Sequence, residues 1–204
     1  MCGRYKLTTN ADQLKLAFPW VDNDDYFDIH GPWDRHEIFP GTLILSINNQ
    51  LKPEEDWWTI RDRTWDGKMI SVINAKAETI SKVSMFREAF KNDRVLIPGT
   101  GLFEWQEQPD KKKKKFEIWF DEPVFAFGGI ARSCEIGGER RRCAVIITTT
   151  ANAVFRGIHN TKQRQAVVIR RVDHERWLDP NTSADDLKRM MEPLPEAETH
   201  FKPA

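Results

Sequence analysis

The residues best suited to covalent chemistry stand at the start of the chain, in Met1-Cys2-Gly3-Arg4-Tyr5. Methionine before a small residue is normally removed after synthesis, so we expect a mature chain beginning at Cys2, with a free α-amine beside a thiol. Such an aminothiol condenses with an aldehyde: the amine forms a Schiff base, and the thiol closes a thiazolidine. The α-amine pKa of roughly 7.7–8.0 leaves part of it unprotonated at neutral pH. Taken alone, these residues favour an incidental cysteine at a frayed terminus.

Glu104 is a candidate proton donor and acceptor within the segment Gly101–Gln106. Strand alternation would place Phe103 and Trp105 on one face and Glu104, next to Leu102, on the other. Bulky apolar neighbours desolvate a carboxyl group and raise its pKa, which suits acid–base catalysis near neutral pH. A strand glutamate on a solvent face is an equally good interpretation of this segment.

Two further polar side chains, His159 and Asn74, are candidates of a weaker kind. His159 lies in Gly157–Thr161, and a lone histidine is more often structural or on the surface. Asn74 ends the apolar run Ile70–Ile73 and either caps a following helix or places an amide in a site. The sequence contains no glycine-rich phosphate loop, paired-histidine metal motif or Gly-x-Ser-x-Gly elbow.

The length and charge of the chain limit the elements that position these residues. The 204 residues predict one domain, 1–204, in which 179–204 is the part with the weakest pattern. Because 31 basic residues balance 31 acidic ones, any site for a polyanion must be local. The three cysteines lack metal-ligand or disulfide spacing and no leader precedes the fold, which predicts a reducing, intracellular compartment. No apolar run approaches the roughly 20 residues that span a bilayer.

Hydrophobic periodicity predicts an α+β fold dominated by antiparallel strands. A helix is expected from a cap at Asn10 through Phe18, a loop over 21–34, a helix over 78–90, and a final helix capped by Ser183. The predicted strands cover 3–7, 42–47, 56–60, 69–74, 94–97, 102–106, 116–120, 124–130, 144–149 and 165–169. Lysines 111–115 and arginines 140–142 fall at hairpin tips, either as solvated turns or as phosphate-binding patches.

Short motifs in the chain, taken together, resemble the SOS response-associated peptidase (SRAP) family from Cys2 to about Leu178. The matching segments are Cys2–Tyr5, Asn74–Thr79, Ile97-Pro98 leading into Gly101–Trp105, Gly128–Ile130, Thr148–Asn152 and Ile158-His159. The resemblance implies an α+β fold with a β-barrel-like core. It further implies crosslinking to abasic sites in single-stranded DNA through the N-terminal cysteine, and autoproteolytic removal of residues that precede it. No metal or organic cofactor is implied.

The resemblance also implies roles for individual residues. Cys2 is the crosslinking nucleophile, Asn74 positions its backbone and amine, Glu104 is a general acid and base, and His159 protonates or stabilises the opened sugar oxygen. Arg4 and Lys76 are the phosphate contacts that it implies. Because binding without base readout needs phosphate neutralisation and stacking, we expect Arg164 and an aromatic such as Trp65 to complete the groove. The expected partner is single-stranded DNA with an abasic site, bound by a monomeric, cytoplasmic, DNA-associated protein that contacts neither membrane nor metal.

The sequence departs from the family pattern at four places. Trp57–Trp65 stands in the region of a Trp-Gly-Leu-x-Pro stretch, and Glu37-Ile38-Phe39-Pro40 replaces Asn-x-Ala-Pro. Arg164-Gln165-Ala166 replaces Arg-Met-Pro, and the C-terminal strand motif is not evident near His200. Two other functions remain open: a cysteine peptidase or N-terminal-nucleophile amidase, and a DNA-binding module without chemistry.

Overall fold

The computed structural model describes residues 2–22, 25–64 and 66–204, and it confirms the α+β class with a barrel-like core. The strands are β1 (Tyr5–Thr8), β2 (Asp34–Ile38), β3 (Leu43–Ile47), β4 (Pro53–Trp58), β5 (Ile60–Arg63), β6 (Met69–Val72), β7 (Asn74–Lys76), β8 (Arg94–Gly99), β9 (Gly101–Glu107), β10 (Lys113–Phe120), β11 (Phe125–Ile136), β12 (Glu139–Thr150), β13 (Arg164–Ala166), β14 (Val168–Ile169) and β15 (Thr199–Pro203). The helices are α1 (Ala11–Ala17), α2 (Tyr26–Ile29), α3 (Ser84–Asn92), α4 (Ala153–Ile158), α5 (His174–Leu178) and α6 (Ala184–Met190), with 3₁₀ turns at Arg171–Asp173 and Glu196–Glu198.

A closed ring of strands forms the core. Going round it, β12, β4, β3, β8 and β11 are neighbours, and β11 pairs with β12 to complete the ring. The β4–β12 pairing is parallel and the others are antiparallel. Closure leaves these strands without a free edge within the ring. β7 and β13 also pair with β12, which ties Asn74 and Arg164 to the same strand.

A second sheet, in the order β15-β10-β9-β1-β2, carries the beginning of the chain and Glu104. Tyr5 in β1 joins this sheet to the barrel. Its buried ring makes edge contacts with Trp58 at 5.3 Å and with Phe127 at 5.5 Å between centroids. Aromatic pairs of this kind add about 0.5–1.5 kcal/mol to the area they bury. The strand that follows Cys2 is therefore fixed against the core.

The predicted caps are confirmed, whereas one helix starts later than predicted. Asn10 accepts a hydrogen bond from the backbone of Gln13, and Ser183 caps α6 in the same way. The helix predicted over 78–90 spans Ser84–Asn92 instead. Its start is delayed because the backbone N–H of Ala77 still donates to Thr148 of β12, and the chain then turns through residues 77–83.

The segment predicted to be a loop, 21–34, contains α2 and ends at the first residue of β2. Trp33 stabilises it, since its Nε1–H donates to the carbonyl of Phe27 at 2.8 Å. β2 is a polar edge strand that pairs with β1. Neither element has the apolar pattern on which the sequence prediction depended.

A C-terminal strand is present, although the family's C-terminal strand motif is not evident in the sequence. β15 pairs antiparallel with β10, from Phe120 opposite Thr199 to Phe116 opposite Pro203. Asn152 also binds this part of the chain, donating to the carbonyl of Leu194 and to Thr199 Oγ1 at 3.0 Å each. The strand is short and polar, so its sequence has little strand propensity of its own. It becomes a strand because it pairs with β10.

Arg142 is not part of a solvated hairpin tip, although β11 and β12 do form a hairpin there. Its guanidinium binds both carboxylate oxygens of Asp93 at 2.8–2.9 Å, and Nε lies 2.8 Å from Glu54 and 3.1 Å from the buried Asp56.

Within the described residues, no helix is long and apolar enough to cross a membrane.

Candidate active site

The pairing of β1 with β9 brings the N-terminal residues to Glu104. Tyr5 lies opposite Leu102, and the backbone N–H of Phe103 donates to the carbonyl of Arg4 at 2.9 Å. Continuing this antiparallel register along the chain places Gly3 opposite Glu104. Residues that are about 100 positions apart in the sequence thus become neighbours.

Cys2 lies just before β1 and is completely buried. Burial raises the pKa of its thiol well above the ordinary value, and the negative charge of Glu104 raises it further. A thiol in this environment is neutral at physiological pH. It is thus unlike the thiolate of a cysteine peptidase, which a nearby positive charge stabilises.

Glu104 is 3% exposed, which excludes the solvent-face interpretation of this strand. Burial raises the pKa of its carboxyl group to about 7. A group with this pKa is present in both protonation states at neutral pH, so it can donate and accept protons in one reaction sequence. Of the two interpretations of this segment, the structure favours the desolvated carboxyl group with a raised pKa.

His159 follows α4 and lies beside Glu104. Its Nδ1 is 3.9 Å from Glu104 Oε2 and 3.0 Å from the carbonyl oxygen of Arg164. A carbonyl oxygen only accepts hydrogen bonds, so Nδ1 carries the proton and Nε2 of the neutral ring carries the lone pair. Burial lowers the pKa of His159 below its ordinary value, which favours this neutral form.

Side chains from β9 and from the loop after α4 fix His159 against the strand. Asn160 donates to the carbonyl of Glu107 at 2.9 Å and accepts from its N–H at 3.0 Å. Gln106 Nε2 donates to the carbonyl of Gly157 at 2.8 Å. These bonds connect residues more than 50 positions apart and hold the histidine loop on the strand that carries Glu104.

An open cleft of about 610 Å³ gives solvent access to the Glu104–His159 pair. It is lined by Gly3, Arg4, Glu104, Trp105, Glu107, Lys113, His159, Thr161 and Lys162. Sequence reasoning missed Lys162, and it offered Lys113 only as part of a lysine run that is either a solvated turn or a phosphate-binding patch. Their only sequence signal is position: Lys162 follows His159 by three residues, and Lys113 lies in the lysine run 111–115.

A larger cavity of about 760 Å³ lies between α3 and α6. Its lining includes Ile80, Phe90 and Leu187 but none of the predicted catalytic residues. Size alone therefore does not identify the site. The smaller cleft is the better candidate because it contains the buried acid whose pKa is raised to about 7.

Asn74 begins β7, opposite Ile146 of β12, and does not cap a helix. Its Nδ2 donates to the carbonyl of Ile146 at 3.3 Å. The side-chain oxygen Oδ1 is buried and has no hydrogen-bond partner among the described residues. A buried acceptor of this kind is unfavourable unless a donor arrives, so the side chain is suited to receive an N–H group.

Arg4 lies at the cleft between two aromatic rings. Its guanidinium carbon is 4.6 Å from the centroid of Phe39 and 4.9 Å from that of Trp105. Glu37 lies 3.6 Å away and partly balances its charge. Phe39 is itself 41% exposed, so an aromatic surface is available beside the arginine. Lys76, at the end of β7, is exposed.

Arg164 is engaged in an ion pair instead of projecting freely. It binds both oxygens of Glu78, at 2.5 and 2.9 Å, and Nη2 donates to the carbonyl of Thr148 at 2.7 Å. A contact of Arg164 with DNA, as predicted, would have to compete with Glu78.

Trp65, the predicted stacking residue, lies outside the described residues. In the described part of the chain, no cluster of three or more His, Cys, Asp or Glu side chains has a metal-binding arrangement.

Comparison with known proteins identifies relatives along nearly the whole chain. The family model for SOS response associated peptidase (SRAP) matches residues 1–204. The abasic site processing protein YoqW of Bacillus subtilis (strain 168) is 30% identical over 203 residues, covering 95% of this chain and 87% of the relative. YoaM of the same organism, also named an abasic site processing protein, is 32% identical over 204 residues, with coverage of 95% and 86%.

The fold is similar to that of a crystal structure of a Bacteroides thetaiotaomicron protein, with a TM-score of 0.81 at 23% identity. The match covers 99% of this chain and 91% of that one. At this identity the likeness concerns the fold alone. The family model matches residues 1–204, and on this evidence the chain belongs to the SOS response associated peptidase (SRAP) family.

Proposed function

We propose that the protein recognises abasic sites in single-stranded DNA and captures them as a thiazolidine crosslink through Cys2, after Met1 is removed. The observation that carries the proposal is the buried Glu104, with a pKa raised to about 7, beside His159 and the start of β1. The relatives' names, which refer to abasic site processing, support the class of substrate.

The first step is opening of the sugar. An abasic deoxyribose is mostly a closed hemiacetal, so the aldehyde must be released before an amine can react. The neutral His159 takes the proton of the anomeric hydroxyl at Nε2 while the C1′–O4′ bond breaks. The imidazolium then returns a proton to O4′. A lowered pKa suits this shuttle, because the ring begins neutral and releases its proton readily.

The second step is formation of the Schiff base. The α-amine of Cys2 attacks C1′, and Asn74 orients it through the buried Oδ1, which has no partner among the described residues. The carbinolamine must then lose its hydroxyl group as water. Protonated Glu104 supplies the proton for this departure and is left as a carboxylate.

Ring closure completes the crosslink. The neutral thiol of Cys2 gives its proton to the Glu104 carboxylate while sulfur bonds to C1′ of the protonated imine. The C=N double bond becomes a single bond, the nitrogen keeps its one proton, and Glu104 returns to its acid form. The raised pKa of the thiol delays its reaction until the imine has formed. Aldehyde and aminothiol give the thiazolidine and one molecule of water. All three steps use only the α-amine and side chains of this protein.

The DNA is held by phosphate contacts and by stacking. Arg4, Lys76 and Arg164 supply positive charge, and Trp65 is proposed to stack on a base beside the abasic site. Phe39, which is exposed next to Arg4, offers a second aromatic surface. Stacking of one base on an aromatic side chain contributes roughly 1–3 kcal/mol. The balanced charge of the chain favours a short footprint.

We also propose autoproteolytic processing by the same residues, in keeping with the word peptidase in the family description. Hydrolysis of the peptide bond before Cys2 would add one water across it and expose the α-amine that the crosslink requires. Glu104 is suited to move the protons of this step as well.

The experiment mixes purified protein with single-stranded DNA that carries one abasic site and resolves the products on a denaturing gel. We expect a heat-stable shifted band with the wild-type chain and none with Cys2→Ala. Cys134→Ala and Cys143→Ala are matched controls that should crosslink normally. Borohydride should trap a Schiff base with Cys2→Ser, since the amine remains. Absence of any heat-stable wild-type band would overturn the proposal.

The same preparation separates the alternatives. A cysteine peptidase or amidase would turn over peptide substrates steadily, and excess abasic DNA would not inhibit it. The raised thiol pKa of Cys2 argues against that function. A binding module without chemistry would bind intact single strands tightly and form no crosslink.

A further inference from the structure

The hairpin between β9 and β10 carries an excess of positive charge next to the cleft. Residues 107–115 contain five lysines and two acidic residues, a net charge of +3. The acids are already paired: Glu107 lies 3.2 Å from Lys111, and Asp110 lies 3.2 Å from Lys112. Lys115 binds Glu37 of the neighbouring strand β2. In the described part of the chain, Lys113 and Lys114 have no ion-pair partner.

Lys113 and Lys162 approach the cleft from two elements that meet at Glu107. Lys113 lies opposite Glu107 in the β9–β10 pairing. Asn160, two residues before Lys162, is hydrogen-bonded to the backbone of the same glutamate. Both lysines line the cleft and are exposed. Lys162, like Lys113, has no ion pair with any described residue.

The other basic residues near the cleft carry less available charge. Arg4 and Lys115 share Glu37, and Arg164 is bound by both oxygens of Glu78. An exposed lysine without an acidic partner binds a phosphate without first breaking an ion pair. Lys162 is also near enough to the Glu104–His159 pair for its charge to act on both groups. Burial raises the pKa of Glu104 and lowers that of His159, and the charge of Lys162 slightly offsets the first shift and adds to the second.

We infer that Lys113 and Lys162 bind backbone phosphates of single-stranded DNA on one side of the reacting sugar, and that the strand then continues along the β9–β10 hairpin past Lys114. The inference rests on the proposed function, because it places the reacting sugar at Glu104 and His159. It makes the hairpin part of the DNA-binding surface, and it leaves the reaction itself to Cys2.

The test measures binding in a Cys2→Ala background, where no crosslink can form. Fluorescence anisotropy with a short labelled single strand, repeated over a series of KCl concentrations, gives the slope of log K against log salt. Each lost phosphate contact reduces this slope by about 0.7 for single strands. The double variant Lys113→Gln/Lys162→Gln should therefore reduce it by about 1.4. Exposed substitutions of this kind have little effect on folding.

Lys91→Gln/Lys188→Gln is the matched control, because it removes the same charge from α3 and α6 and should leave the slope unchanged. The inference is overturned if the two double variants have the same slope and affinity. The gel experiment keeps the two proposals separate. If the wild-type chain crosslinks while the slope does not change, the inference alone fails. If the slope falls but no crosslink ever forms, the proposed function fails and the phosphate contacts stand.

Discussion

The side-chain amide of Asn160 forms two hydrogen bonds with the backbone of Glu107, donating to its carbonyl at 2.9 Å and accepting from its N–H at 3.0 Å. The amide thus bonds to β9 as the backbone of another strand would. His159 is the preceding residue, so we expect this pair of bonds to fix how the imidazole lies against Glu104. We therefore propose Asn160 as a positioning residue that acts through His159.

Asn160→Ala removes both bonds and should slow crosslinking about tenfold, because His159 then spends less time beside Glu104. Two exposed hydrogen bonds contribute about 1–2 kcal/mol to stability, so the variant should still fold. The measurement is the single-turnover rate of crosslink formation. Asn48→Ala is the matched control: it also loses two backbone hydrogen bonds, from Gln50 and Lys52 in the β3–β4 turn. An equal loss of rate in both variants would contradict a role for Asn160 in positioning.

Glu104→Gln keeps the shape of the side chain and removes its proton transfer, so the crosslinking rate should fall at least about 100-fold, within the range for general acid–base catalysis. The pH dependence gives a second readout. The wild-type crosslinking rate should decrease as the pH rises above about 7, where Glu104 loses the proton needed to expel water. The crosslinking rate of Glu104→Gln should not decrease over this pH range. A wild-type rate that rises continuously to about pH 9, following the amine alone, would exclude Glu104 as the acid.

The same substitution should stabilise the fold at alkaline pH. Between about pH 4.5 and 7, the folded chain keeps a proton on Glu104 that the unfolded chain has released. The free energy of unfolding therefore decreases as the pH rises through this window, by up to about 3 kcal/mol. Glu104→Gln removes that loss, so it should be more stable than the wild type at about pH 8 and similar at about pH 4.5. Urea unfolding at both pH values measures the difference. Equal pH dependence of the two proteins would mean that Glu104 is not desolvated.

Glu78→Gln should strengthen binding to single-stranded DNA by about threefold to tenfold at low salt, because it releases the guanidinium of Arg164. Anisotropy in the Cys2→Ala background measures the change. Adding Arg164→Gln should abolish the gain. If Glu78→Gln strengthens binding equally with or without Arg164, the effect comes from the general loss of negative charge, and the predicted DNA contact of Arg164 is not supported.

Local chemistry explains what could be predicted from the sequence. The caps at Asn10 and Ser183 depend on a few adjacent residues. The apolar neighbours of Glu104 made its burial one of two equally good interpretations, and the structure decides for burial. The family resemblance predicted the barrel-like fold, which the structure confirms. The joint role of Cys2 and His159 that it implies stays a prediction.

Features made by distant contacts were not predictable in this way. β2 and β15 are polar edge strands defined by their partners. The ion pair between Arg164 and Glu78 joins residues 86 positions apart, and nothing local indicates it. Lys113 and Lys162 reach one cleft only because Asn160 binds the end of β9.

The most direct test of the central claim is the intact mass of the crosslinked product, followed by mapping of the modified peptide. We predict the mass of the chain beginning at Cys2, plus the DNA, minus one water, with the attachment on the Cys2 peptide. A product that retains Met1, or one in which the DNA is attached to any other residue, would contradict the thiazolidine at Cys2.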